Sequence, residues 1–189
     1  MAGNHIKVAI KMTTLLTKRH LLEAIGSVVP PHEAAYVAGP LATGQRYYEL
    51  LASGDSEAAS RVRQENEVAM GRFVSTLRTK LSYPVIDSGV MKIENWAARE
   101  IGELYLKIIS SFAKEIWFMD GWEYSRGATK EFQFGVANGV STLNSSGKTL
   151  SAEQGCRLIK AAAARLMALG IDATRFVDRI DQIRKVRDR

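Results

Sequence analysis

The stretch Glu115 to Gly139, EIWFMDGWEYSRGATKEFQFGVANG, limits what this chain can fold into more than any other part of it. Glu115-Ile116-Trp117-Phe118-Met119 is a short, bulky, mostly apolar run that reads as a buried strand. Asp120-Gly121 ends it with turn chemistry. Ser125, Gly127 and Thr129 then stand where a helix should begin. A buried strand, a polar turn and a helix together make the repeating half-unit of an α/β sheet. The start of a helix presents unpaired backbone N–H groups and the positive end of a dipole, which suits an anion. One carboxylate, Glu131, is placed just inside that helix. Ligands of open α/β sheets sit at the carboxyl ends of the strands, so a site centred on Glu131 is expected at this turn.

The remaining chain supplies partners for this unit. Ala34 to Ala38 reads as a strand running into Gly39-Pro40 and then a flexible turn with Arg46. Asp55 or Ser56 should cap a long helix to about Lys80, with Val62, Ala69, Phe73, Leu77 and Leu81 on one apolar face. Tyr83 to Ile86 reads as a second strand, ended by Asp87-Ser88-Gly89. Residues 90–95 read as a loop, and Trp96 to Ala113 as a helix with Leu104, Tyr105, Ile108 and Phe112 on its inner side. A short edge strand is expected at Val140–Leu143. Ser151-Ala152-Glu153-Gln154 is a capping box that opens a helix stopping near Gly170, and a last helix carries Phe176, Ile180 and Ile183. Residues 5–12 alternate in a strand-like way, and Thr13 or Thr14 could cap a short helix ended by Gly26 before Pro30-Pro31. Strands alternating with helices predict an α/β fold: a Rossmann-like three-layer sandwich with a mostly parallel sheet and helical extensions at both ends. Residues 1–33 are expected as an N-terminal extension, 34–150 as the α/β domain, and 151–189 as C-terminal helices packed on the same domain.

The chain has 189 residues, enough for one domain with a full core. No apolar run approaches the roughly 20 residues of a membrane span, and no signal-peptide pattern opens the chain. One cysteine, Cys156, excludes an internal disulfide and a cysteine-rich zinc site. A cytoplasmic setting is expected. His5, His20 and His32 share no metal-ligand spacing, and nothing calls for a metal or another cofactor. The net charge of +6 is concentrated partly in the last residues, which read as a solvated tail, so nucleic acid is not the expected partner.

Three features in order, the strand followed by Gly39-Pro40 with Arg46 beyond it, the strand EIWFMDG, and Ser125-x-Gly127-x-x-x-Glu131 opening a helix, resemble the nucleoside 2-deoxyribosyltransferase superfamily with its nucleotide N-glycosidase members. The resemblance spans roughly residues 34 to 140. It implies that Glu131 matches the nucleophile that attacks the anomeric carbon of the sugar. It implies further that Ser125 stands beside the sugar, where serine goes with enzymes that accept a 5′-phosphate. Gly127 matches the glycine that turns backbone N–H groups to the ligand, Gly39 and Pro40 match the first loop, and Arg46 matches a phosphate-binding arginine. The resemblance also implies a homo-oligomer and a small nucleoside or nucleotide ligand. The first loop is about one residue longer than is usual in the family, and one departure bears on the chemistry: Leu106 stands where an aspartate is usual, leaving Asp120 or Asp87, at strand ends, as the other carboxylates available.

Breaking an N-glycosidic bond builds positive charge on the sugar, which a carboxylate can stabilise or capture, while a general acid protonates the leaving base. The sequence offers Glu131 as the carboxylate, Asp120 as the acid, Ser125 and Arg46 for a phosphate, and Tyr36, Trp122 and Tyr124 as platforms for a base. Stacking of that kind is worth roughly 1–3 kcal/mol per base. Each has a plainer reading. Asp120 also fits a turn-forming Asp-Gly, Arg46 a surface ion pair, Ser125 a helix N-cap and Trp122 an anchor to the core. The expected activity is hydrolysis of a nucleoside 5′-monophosphate to base and sugar phosphate. The alternatives are deoxyribosyl transfer between bases and nucleotide sensing without turnover. A phosphoribohydrolase of the lysine-decarboxylase-like type ranks behind them: Gly127-Ala128-Thr129-Lys130-Glu131 fits its turn, but the preceding Pro-Gly-Gly is missing.

Overall fold

The computed structural model describes residues 17–90 and 96–187. The alternation at residues 5–12, the cap at Thr13 or Thr14 and most of the loop at residues 90–95 lie outside the described residues. Strand β1, Ala34–Ala38, is buried along its whole length, which explains why it is a continuous apolar run with small residues. Its two faces serve two cores. Ala35 and Val37 join Val85 and the helical residues Met70, Val74 and Leu77. Tyr36 and Ala38 join Ile86, Ile116 and Phe118 beneath Leu104, Ile108 and Phe132.

The chain proceeds from helix α1 (residues 17–26) through β1 to α2 (Gln45–Ala52), α3 (Ser56–Lys80) and β2 (Val85–Asp87). It continues through α4 (Ala98–Phe112), β3 (Ala113–Phe118), α5 (Arg126–Ala137), β4 (Ser141–Asn144), α6 (Ala152–Ala168) and α7 (Thr174–Arg187). Short 3-10 turns occupy Ser88–Val90 and Trp122–Tyr124. The four strands are all parallel, in the order β2-β1-β3-β4. The fold is thus the three-layer α/β sandwich expected. The crossover connections account for the layers. The step from β1 outward to β2 places α3 on one face, and the return across β1 to β3 and β4 places α4 and α5 on the other.

Several elements fall where the sequence put them. Asp55 caps α3 by accepting from the Ala58 N–H at 2.8 Å. Ser151 and Gln154 form the capping box of α6, with bonds of 3.2 and 2.8 Å. Three details differ. Helix α2 was not expected; it is short and opens on Gly44, without a side-chain cap. The buried stripe of α3 is Ala59, Val62, Met70, Val74 and Leu77, whereas Ala69 is exposed and Phe73 only partly buried. The second strand is Val85–Asp87, beginning after Pro84 rather than at Tyr83, because proline lacks the N–H a ladder needs. Helix α1 is held on α4: Lys18 donates to Glu103 at 3.3 Å and lies 5.4 Å over the Trp96 ring, while Leu21, Leu22 and Ile25 pack on the core. Ile159, Leu166, Phe176, Ile180 and Ile183 of α6 and α7 belong to the same core as β1 and β3. Among the described residues no helix is long and apolar enough to cross a membrane.

Candidate active site

The strand order reverses direction between β1 and β3, and such a switch point opens a crevice at the carboxyl ends of the two strands. Here those ends are Gly39-Pro40 and Met119-Asp120-Gly121. The Met119 N–H donates to the Ala38 carbonyl at 2.9 Å, extending the pairing past both strands. A Cβ on Gly39 would lie 2.9 Å from Met70 Cε and 3.2 Å from Met119 Cβ, so a side chain here would have to displace the methionines packed against this loop. The two loops are tied together. Thr43 Oγ1 donates to the Tyr124 carbonyl at 3.3 Å, and Asn66 Nδ2 donates to the Thr43 carbonyl at 2.8 Å.

Glu131 lies in the second turn of α5 and is buried. Tyr36, fully buried at the centre of β1, donates its hydroxyl to Glu131 Oε1 at 3.0 Å. Tyr36 is therefore turned towards α5 as a partner of the carboxyl and, fully buried, is not the platform for a base that was expected. Burial pushes the Glu131 carboxyl up to about 7; the Tyr36 hydrogen bond and the positive charge of Lys130 hold it from rising further. The Tyr36 phenol is raised well above its usual value, by burial first and then by the Glu131 charge. Tyr105 of α4 meets the Tyr36 ring edge-on at 6.4 Å and donates to the Ser88 carbonyl at 2.9 Å. Its own phenol is pushed up to about 12 by burial, then by Glu131 and Asp87. Ser88 in turn donates to the Val37 carbonyl at 2.8 Å. Helix α5, strand β1 and helix α4 thus converge on a single carboxyl.

The other expected residues are arranged differently. Ser125 is the N-cap of α5, its Oγ accepting from the Ala128 N–H at 3.3 Å. Gly127 is exposed in the first turn of α5, where a Cβ would make only an ordinary 3.7 Å contact with Ser125 Oγ. Pro40 packs beside Gly121, whose added Cβ would lie 3.8 Å from the proline ring. Arg46 is exposed on α2 and bonded to Glu65 at 2.6 Å, an ion pair between neighbouring helices. Asp120 is exposed and accepts from Ser145 Oγ at 2.6 Å. Trp122 is buried between Phe118 and Phe132, each with ring centroids 4.8 Å away, and anchors the loop to the core. Asp87 is buried, with Oδ1 accepting from the Gly89 N–H at 2.7 Å. Its register with Val37 places it on the α3 face of the sheet, opposite Glu131.

Tyr105 was read from the sequence only as part of the inner stripe of its helix. It stands one residue before Leu106, out of line with the aspartate of the resemblance, so no sequence signal marked it. A concavity of about 400 Å³ at the ends of β3 and β4 is lined by Asp120 and Trp122 but does not include Glu131. Among the described residues no group of three His, Cys, Asp or Glu side chains is placed to hold a metal ion. No protein-family model, curated protein or solved structure matches this chain.

Proposed function

We propose that this protein cleaves the N-glycosidic bond of a nucleoside 5′-monophosphate, with Glu131 as the nucleophile. The observation that carries this reading is the buried Glu131 carboxyl, gripped by Tyr36 beneath the switch point of a parallel sheet. A carboxyl titrating near neutrality inside a protein is enriched at functional sites. In its ionised form Glu131 attacks the anomeric carbon as the C1′–N bond breaks, and the bonding pair leaves with the base, which takes a proton from water; Asp120, exposed and accepting from Ser145, lies on a concavity that does not include Glu131. Water then displaces the carboxylate from the sugar and regenerates it. Tyr36 orients the attacking carboxylate through its hydrogen bond. The 5′-phosphate belongs to the N-terminus of α5, where Gly127 leaves the backbone open. Arg46 reaches a phosphate only by leaving Glu65. The same reading carries the expectation of a homo-oligomer.

A fluorinated arabinosyl nucleotide, whose substituent slows the second step, should leave the sugar phosphate attached to the peptide containing Glu131, detectable by mass spectrometry. Attachment elsewhere, or no attachment beside measurable turnover of the natural nucleotide, contradicts the role of Glu131. Adding a free acceptor base separates hydrolysis from transfer, since only transfer makes a new nucleoside.

One observation favours a nucleotide sensor as the second reading. The loops after β1 and β3 are tied by the bond from Thr43 Oγ1 to the Tyr124 carbonyl, which holds them in one arrangement. Binding of a nucleotide without release of base supports that reading.

A further inference from the structure

The concavity at the carboxyl ends of β3 and β4 lies between the turn after β3 and the first turns of α6, with a volume of about 400 Å³. That is the size of a site for one small ligand. Its floor is aromatic, from Phe118 and Trp122, both buried. At its rim Leu158 is 40% exposed, an apolar surface beside an aromatic floor. Two carboxyls, Asp120 and Glu123, lie on the lining. Glu123 is partly buried, and its carboxyl is raised by that burial and by the Asp120 charge. The cation on the lining, Arg157, is already bonded to Glu153 at 2.7 Å. The cavity therefore joins an apolar floor to two carboxyls, Glu123 and Asp120, the latter accepting from Ser145 Oγ at 2.6 Å, with Arg157 also on the lining.

We propose that this cavity is a second binding site, separate from Glu131, for a small flat ring bearing a cationic N–H donor group, such as an amidinium. The ring covers the exposed Leu158 side chain above the buried Trp122, and the donors bond to Glu123 and Asp120. Charge-assisted bonds of this kind are about twice as strong as neutral ones. They would also replace the hydration that Glu123 lost on burial.

Three matched probes test this on the full chain by calorimetric or NMR titration: benzamidine, its neutral isostere benzamide, and benzoate. Saturable binding of benzamidine is expected, with benzamide weaker by about tenfold or more and benzoate showing no saturation, as a charge-assisted contact requires. Glu123→Gln should weaken benzamidine by about tenfold. Leu158→Arg, at an exposed position that tolerates the change, should abolish binding by filling the cavity with a rival cation. Glu131→Gln should leave binding unchanged. Equal binding of all three probes, no saturable binding of benzamidine, or benzamidine binding untouched by both cavity variants overturns the proposal. Loss of binding in Glu131→Gln overturns the separateness of the site. Because the readout is binding of a probe that is not a nucleotide, it stands or falls apart from the glycosidase reading.

Discussion

At the scale of single residues, Glu131 is a contest between burial and hydrogen bonding that burial wins. The sequence placed this carboxylate just inside a helix, where the dipole would favour its charge. The dipole acts within the first turn, and Glu131 lies in the second, facing Tyr36 and the core. Its carboxyl is therefore raised to about 7 rather than lowered. Below the ordinary unfolded value near 4.5, both folded and unfolded chains hold the proton and the native state is unpenalised. As pH rises through 4.5 towards 7 the unfolded chain ionises first, and stability is lost until both forms are charged. The loss amounts to about 3 kcal/mol. Glu131→Gln keeps an acceptor for Tyr36 without the charge. It should match the wild type in stability at about pH 4 and exceed it by about 3 kcal/mol at about pH 8, measured by urea unfolding at both. A difference that does not grow with pH contradicts the burial argument. If the ionised carboxylate is the nucleophile, kcat/KM should climb as pH rises through about 7 and level off above it. Tyr36→Phe removes the bond that favours the charged form, so that limb should move to higher pH.

At the scale of elements, close approach explains what pattern reading cannot. Strand β1 and helix α3 were legible because a continuous apolar run and an Asp cap with a helical stripe have few competing readings. Helix α2 was not, since nothing in Gln45 to Ala52 marks its start. The one-residue difference between Ala69 and Met70 as the buried side of α3 was not legible either. A helix that long drifts against any fixed spacing, and only the sheet decides which line faces inward. Glycines separate the two kinds of constraint. A Cβ on Gly155 of α6 would fall 2.1 Å from the ring of Phe132, which is fully buried and packed against Phe118 and Trp122. That ring cannot swing away, so Gly155→Ala should cost about 1–3 kcal/mol by overpacking. Gly71 of α3 has nothing within 4 Å of an added Cβ. Gly71→Ala should therefore stabilise by about 1 kcal/mol through helix propensity. Paired denaturant melts check both, and the same sign for the two would contradict this account of the α5–α6 contact.

At the scale of the whole molecule, α/β alternation was enough to predict the architecture, and the two C-terminal helices complete its core. Ile159, Leu166, Phe176, Ile180 and Ile183 are buried with Tyr36, Ile116 and Phe118 in one cluster. Burying each such side chain contributes roughly 1.5–3 kcal/mol, against a net stability of about 5–15 kcal/mol for a domain. A chain ending at Leu150 should therefore fail to give a cooperative urea transition, whereas the full chain gives a single one; a cooperative transition in the shortened chain would show that α6 and α7 are dispensable. The sheet order explains the site in the same way. The reversal between β1 and β3 brings the loops after these two strands together, while the sequence showed only the strands themselves. The residues expected to hold a phosphate were legible as types but not as partners. Arg46 has Glu65 and Ser125 has the Ala128 N–H, pairings fixed by where α2, α3 and α5 come to rest.

The central claim is that Glu131 performs glycosidic chemistry. It is tested most directly by incubating the purified protein with a panel of ribo- and deoxyribonucleoside 5′-monophosphates and measuring released free base by chromatography. The account predicts release from at least one nucleotide by the wild type and none by a folded Glu131→Gln variant. Equal release by both, or release by neither from any nucleotide with or without an acceptor base, would contradict it.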